Sequence, residues 1–236
     1  MFKILNNSLK IKQFVFPDKC LLCESSVVGD YLSICDRCTR DFTRRNRACC
    51  PQCGILSGNG TTCGHCLRSP PAFDITHALH TYQYPIDGLL QKYKYGHQLT
   101  IAELFGNLMC RDRSANKLPD VLIPMPLHPQ RLRDRGFNQA SEIARVIARL
   151  LTIPLDMHCC KRIKFSAPQV TLPLKQRVRN MRNAFICERD LSGMKVALVD
   201  DVMTTGASLN ALATAAKKAG AVQVECWVVA RTQPHD

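Results

Sequence analysis

The chain has 236 residues, 46% of them hydrophobic and 22% charged, a globular balance with room for one sizeable core and a small appendage. No apolar run approaches the roughly 20 residues of a membrane span, and the opening MFKILNNSLKIKQFVF is broken by Asn6, Asn7, Lys10 and Lys12, so no secretory leader is expected and the cytosol is the expected compartment. The net charge of +13 is uneven, at +5 over residues 1–70, +8 over 71–190 and zero over 191–236, which favours a polyanionic partner, a polyphosphate ligand, or both.

Nine of the fourteen cysteines precede residue 70, and in a reducing compartment disulfides do not explain them. Four Cys-x-x-Cys pairs occur: Cys20/Cys23, Cys35/Cys38, Cys50/Cys53 and Cys63/Cys66. Each puts two thiolates on one tight turn, and two such turns make a tetrahedral four-thiolate site suited to Zn(II). Eight ligands allow two zinc ions. Sequential pairing joins 20/23 to 35/38 and 50/53 to 63/66; an interleaved pairing satisfies the same spacing. Gly54 and Gly64, directly after Cys53 and Cys63, fit the positive-φ positions of such turns. Cys49 is a spare beside Cys50, and His65 is a ligand only where a cysteine is not. Cys110, Cys159, Cys160, Cys187 and Cys226 read as buried or half-buried thiols. A closed all-cysteine site is structural rather than catalytic, and so small a module buries too little apolar surface to fold without metal. Ser69-Pro70-Pro71 marks its end. The expected organisation is a Cys-rich, double zinc-ribbon-like module over residues 1–70 and a second domain over 71–236.

Beyond that boundary, Ile75 to Tyr84 reads as a strand or hairpin arm ended by Pro85. Ile86 to Met109 has helical spacing with a break near Gly96. Val121-Leu122-Ile123 is a short buried strand, and Phe137 to Leu151 is a helix with Ala140, Ile143, Ala144, Ile147, Leu150 and Leu151 on one face. Lys195–Val199 is a strand, Leu209–Ala219 a helix stopped by Gly220, and Val222–Val229 a final strand. The β, α, β, α, β order argues an α/β fold: a parallel sheet flanked by helices, with ligands expected at the carboxyl ends of strands such as Ile123-Pro124 and Val199-Asp200.

Two basic constellations interrupt these elements. In PMPLHPQRLRDRGFNQ, Arg131, Arg133 and Arg135 alternate just before a glycine and a helix start. Guanidinium forks match phosphate oxygens and a helix N-terminus adds favourable potential, so this is a candidate pyrophosphate clamp, or else a solvated basic loop. The stretch Lys161 to Arg182 carries seven basic residues and no acid, with Pro168 and Pro173 arguing for a loop at its centre. Such a loop could close over a reacting pyrophosphate, grip a nucleic-acid backbone through Lys164, Lys175, Arg177, Arg179 and Arg182, or have no task.

The segment with the most specific chemistry is KVALVDDVMTTGAS, Lys195 to Ser208. An apolar strand runs into Asp200 and Asp201, and a hydroxyl-rich turn then opens a helix. Carboxylates accept hydrogen bonds from ribose hydroxyls, and hydroxyls and amides at a helix start hold a phosphate. The segment resembles the phosphoribosyl pyrophosphate (PRPP) signature of type I phosphoribosyltransferases. That resemblance assigns the ribose to Asp200 and Asp201 and the 5-phosphate to Thr204, Thr205, Gly206, Ala207 and Ser208. Met203 departs from it, being bulky where a smaller or β-branched residue is usual.

Taken together, the four cysteine turns, VLIPMPLHPQRLRDRGFNQ, SAPQVTLPLKQRVRNMRNAF and VALVDDVMTTGAS resemble the ComF family of competence proteins, a zinc module fused to a phosphoribosyltransferase-like domain, and the related DNA-utilisation proteins. The resemblance implies a role in natural transformation and DNA uptake, handling incoming single-stranded DNA in the cytoplasm. It also implies PRPP binding with Mg2+ and contact with a DNA-translocating helicase. It brings Arg133 and Arg135 toward the pyrophosphate and matches Gln169, Arg177 and Asn180 to a flexible loop. Two functions remain in competition. One is single-stranded DNA handling with a PRPP pocket, in which Tyr93, Tyr95, Phe137 or Phe165 stack on bases unless they pack in the core. The other is an active phosphoribosyltransferase on an unidentified acceptor, with Arg135 and Arg177, and Lys175 beside them, stabilising departing pyrophosphate. The short stretch Arg231 to Asp236 offers no hood to select a base, which favours the first.

Overall fold

A computed structural model describes residues 19–27, 34–43, 48–95, 99–111, 118–164 and 183–234. By contacts the chain divides into two compact units, Met1–Asn46 and Arg47–Asp236, so the cysteine-rich stretch up to residue 70 straddles the division. The smaller unit holds the Lys19–Ser26 bridge and helix α1 (Asp36–Thr43). Asp36 in its first turn and Arg40 in its last complement the helix dipole.

The larger unit begins with the Cys49–Leu56 bridge and helix α2 (Gly64–Arg68). Strand β1 (Ile75–Thr81) follows, then helices α3 (Ile86–Tyr95) and α4 (Leu99–Cys110). Strand β2 (Val121–Pro124) leads through α5 (Pro129–Arg135) to α6 (Gln139–Leu151). Two three-residue strands, β3 (Cys160–Arg162) and β4 (Phe185–Cys187), pair antiparallel. Strand β5 (Lys195–Met203), helix α7 (Ala207–Lys218) and strand β6 (Gln223–Arg231) complete it.

The four long strands form one parallel sheet in the order β1-β6-β5-β2. Parallel sheets are covered on both faces, so their strands read as continuous apolar runs. That is why VLIP is buried throughout and why β6 is buried from Val224 to Arg231. Trp227, fully buried, is the largest side chain of this core. The even-numbered β5 residues Val196 and Leu198 pack in one cluster with Leu209, Leu212 and Ala216 of α7 and with Cys160 and Phe185 of the β3–β4 pair. Helices α4 and α6 pack on each other, and α6 also covers β2 and β5. No helix among the described residues is long and apolar enough to cross a membrane.

The expected α/β class, parallel strands and flanking helices are therefore present. One expectation is corrected. The strand carrying the acids does not stop at Val199. Its ladder with β6 continues through Asp200–Val228 and Val202–Ala230 to Met203–Arg231, whereas β2 pairs only as far as Pro124–Val199. Asp200 to Met203 thus project past the edge strand, at the carboxyl end of the sheet.

Candidate functional site

The cysteine turns form two quartets, Cys20/Cys23/Cys35/Cys38 and Cys50/Cys53/Cys63/Cys66, each with its Sγ atoms within 4.8 Å of one another. The pairing is sequential. The two turns share one backbone pattern. Cys20 N donates to Ser25 O and Glu24 N to Cys20 O; Cys50 N donates to Ile55 O and Gly54 N to Cys50 O. The residue after each second cysteine has positive φ, +59° at Glu24 and +71° at Gly54. Gly64 does not: it opens helix α2, so only Gly54 has the expected role. Each quartet also has an amide aimed at sulfur, Cys35 N to Cys20 Sγ at 3.4 Å and Cys63 N to Cys50 Sγ at 3.3 Å. Such bonds stabilise thiolate. The Cys38 amide, then the Ser25 hydroxyl, pull the Cys35 thiol down to about 6. Burial raises Cys50, but the Cys53, Cys63 and Gln52 amides outweigh it and bring it to about 7. Four convergent sulfurs fit Zn(II), which would be held structurally at both quartets. Cys49 and His65 belong to neither.

The acid pair sits on the projecting end of β5. Successive strand side chains leave on opposite faces. Asp200 follows Val196 and Leu198 toward α7 and the β3–β4 pair. Asp201 faces α3, where Lys94 Nζ lies 3.2 Å from its Oδ2. Each carboxylate also accepts from the next amide, Asp201 N to Asp200 Oδ1 at 2.9 Å and Val202 N to Asp201 Oδ1 at 2.7 Å. Burial, and then the like charge of Asp201, hold the Asp200 carboxyl well above the usual range. Neither acid is an ordinary exposed turn residue.

Thr204 and Thr205 are exposed, and Gly206 is the N-cap of α7. Its φ of +79° suits glycine, and a Cβ there would lie 2.8 Å from Met203 Cε. Met203, the departure from the usual pattern, is 2% exposed and packs beneath the turn. Thr205 Oγ1 accepts from Ala207 N at 3.3 Å and Gly206 O from Asn210 N at 2.8 Å. Exposed hydroxyls above a helix start are groups that can hydrogen-bond a phosphate.

The three alternating arginines lie on a helix, not a loop. Helix α5 has Pro129 at its start, His128 as its cap and Gly136 as its left-handed end. Residues four apart share a helix face, so Arg131 and Arg135 are neighbours and Arg133 points away. Arg131 and Arg135 are half-buried and Arg133 is exposed. Arg131 is shifted down by burial and by the charge of Arg135. Arg135 Nη1 donates to Gln139 Oε1 at 3.3 Å, at the start of α6. Asn138 caps that helix through Ala140 N at 3.1 Å, and its Nδ2 donates to Met125 O at 3.0 Å, fixing the α6 start to the end of β2. Gln139 Nε2 is buried without a hydrogen-bond partner among the described residues.

Sequence reasoning missed Arg162 and Lys94 as site residues. Arg162 is shifted down by burial and by the charge of Arg131, and up by the charge of Asp200, so it feels both the arginine helix and the acid. It also stacks over Phe185, 5.6 Å from the ring centroid. No local pattern marks either residue; both arrive through tertiary packing. Lys164 is exposed beside Arg162, whose Nε donates to its carbonyl at 3.3 Å. Lys175, Arg177, Arg179 and Arg182, with Phe165, Gln169 and Asn180, lie outside the described residues. Tyr93 is fully buried, with Phe105 at 6.3 Å and Phe137 at 5.6 Å edge-on, and its hydroxyl donates to Gln139 O. It is a core residue and not a base-stacking platform; the Tyr95 side chain is outside the described set.

Comparison with known proteins agrees with this architecture. Residues 11–67 match the double zinc ribbon domain family and residues 134–236 the phosphoribosyl transferase domain family. The chain is 31% identical over 223 residues to the DNA utilization protein YhgH of Escherichia coli K12, covering 92% of this chain and 98% of that one. It is 31% identical over 226 residues to competence protein F of Haemophilus influenzae, with the same coverage of both. It is 24% identical over 227 residues to competence protein ComFC of Streptococcus pneumoniae, covering 90% of this chain and all of that protein.

Proposed function

Because this chain belongs to the ComF family of competence proteins, which gives it a competence-related role, we propose that it handles imported single-stranded DNA in the cytoplasm and binds PRPP in a pocket at the carboxyl end of β5. The observation that carries the pocket is the meeting of unlike groups at one place. An acid pair projects past the edge strand, a hydroxyl-rich turn caps α7, and Arg162 feels the charges of both Asp200 and Arg131 of the arginine helix. Asp200 and Asp201 take the ribose hydroxyls, and Thr204 to Ser208 take the 5-phosphate. Arg135, with Arg131 beside it rather than Arg133, faces the pyrophosphate. Mg2+ taken up with PRPP would supply positive charge that offsets the pyrophosphate. Binding exchanges the Lys94–Asp201 ion pair for ribose contacts, so Lys94 becomes available to a phosphate oxygen. Lys164 and the basic segment that follows it grip the strand, and a DNA-translocating helicase delivers it.

The test is anisotropy of a labelled single strand, with and without PRPP and Mg2+, on the full chain. The reading requires strand binding whose salt dependence flattens in Arg177→Ala. Identical salt slopes across Lys175→Ala, Arg177→Ala and Arg179→Ala would overturn the strand grip. The orphan donor Gln139 Nε2 beside Arg135 favours a second reading, an active transferase that stabilises departing pyrophosphate. Pyrophosphate release on adding a strand or a nucleobase would decide for it.

A further inference from the structure

Cys159, Cys160 and Cys187 form a third thiol cluster that neither quartet nor the ribose site uses. Their Sγ atoms all lie within 4.8 Å of one another, and those of Cys159 and Cys160 are 3.6 Å apart. Neighbours in a regular strand point to opposite faces, so this convergence requires a bend. Asp156 makes it. Its Oδ1 accepts from His158 N at 3.0 Å and Cys159 N at 2.9 Å, turning the chain just before β3 begins at Cys160.

The third thiol comes from the opposite strand. Cys160 and Cys187 are register partners. Glu188 N donates to Cys159 O and Ile163 N to Ala184 O. By alternation, Cys160–Cys187 is a non-hydrogen-bonded rung, where facing side chains approach most closely. Arg189 fixes both sides of the cluster: its Nη1 donates to Asp156 Oδ2 at 2.7 Å, and its carbonyl accepts from Cys187 Sγ at 3.4 Å. Cys159 and Cys160 are 5% and 3% exposed, and Cys187 is half-buried.

We propose that these three residues form a trithiolate site for a soft cation of the Cu(I) type. Sulfur is a soft donor that selects Cu(I) and zinc over hard cations. Among the described residues no histidine, carboxylate or fourth cysteine joins the group. Zinc takes four ligands in closed structural sites, as in the two quartets; Cu(I) is satisfied by three. Binding forms three S–Cu bonds, and each thiol gives its proton to solvent.

Full-length, zinc-loaded protein is titrated anaerobically with Cu(I) held by bathocuproine disulfonate, and bound metals are then counted. Wild type should take up about one Cu(I) per chain with its zinc unchanged, and X-ray absorption should show three sulfur scatterers. Cys187→Ser and Cys160→Ala, with normal zinc content as proof of folding, should hold that copper at least about tenfold more weakly. Cys187→Ala provides the same reading should the serine variant misfold, and Cys110→Ser should match wild type. No uptake by wild type, equal uptake by the Cys187 variants, or copper entering only as zinc leaves would overturn the site. So would a Cys160–Cys187 disulfide in protein isolated under reducing conditions.

Discussion

Arg231 Nε donates to the Cys53 carbonyl over 2.8 Å, and Nη1 of the same guanidinium donates to the carbonyls of Met203, Thr204 and Thr232. The last residue of β6 therefore satisfies a turn of the second cysteine quartet and the Met203–Thr204 turn together, from a position only 7% exposed. Arg231→Met should leave the Cys53 carbonyl without this donor, while the Met203 and Thr204 carbonyls keep Thr232 N and Thr232 Oγ1. A buried polar group stranded in this way costs about 1–3 kcal/mol, so denaturant unfolding should show a loss of that size. Arg231→Lys should fall between, because an ammonium cannot span both turns. An unchanged midpoint in Arg231→Met would show that the guanidinium couples nothing.

The two metal quartets should differ in what they support. The second is held to the sheet by Arg231 and by Thr76, whose Oγ1 donates to Gln52 O at 2.6 Å and whose amide donates to Pro51 O at 2.9 Å. The first belongs to the smaller unit. Calorimetry should find that Cys50→Ser lowers the main unfolding transition of the α/β body, while Cys20→Ser removes one zinc and leaves that transition in place. Equal shifts in both variants would contradict this.

Much of this was legible in the sequence. The CxxC spacing gave eight ligands, and the apolar runs of β2, β5 and β6 gave a parallel sheet because both its faces are covered. What was not legible has identifiable causes. The end of β5 was misplaced because backbone pairing with β6 does not require apolar side chains; that pairing is what sends Asp200 and Asp201 to opposite faces. Helix α5 carried its signals, Pro129 at the first position and Gly136 at the end, but its charge read as a loop. β3 and β4 have three residues each, too few for periodicity to register. Lys94, Arg162 and Arg231 reach their partners across long stretches of chain, and no local spacing announces that. The basic segment 165–182 lies outside the described residues.

Asp200 should trade stability for binding. Its carboxyl is raised by burial and by Asp201, so the folded state binds its proton more tightly than the unfolded state does. Stability then falls as pH rises from the unfolded carboxylate range, about 3.9, through the folded value. Asp200→Asn should raise the melting temperature at neutral pH. The gain should shrink as pH is lowered, where the wild-type group is protonated in both states. A lower melting temperature at neutral pH would contradict the assignment.

Gly206→Ala tests the phosphate turn. A positive φ costs a residue with a Cβ about 1–2 kcal/mol, and here the added carbon also meets Met203 Cε. Denaturant unfolding should show a loss of that size or slightly more. Phosphate binding should weaken while zinc content stays unchanged. Full phosphate affinity in this variant would remove the turn from the site.

The most direct test of the ribose-phosphate site is calorimetric titration of the full chain with PRPP and Mg2+. Wild type should bind one PRPP per chain, and Asp200→Asn/Asp201→Asn should abolish the signal at intact zinc content. Saturable binding of equal affinity in the double variant, or no binding by wild type, would contradict the account.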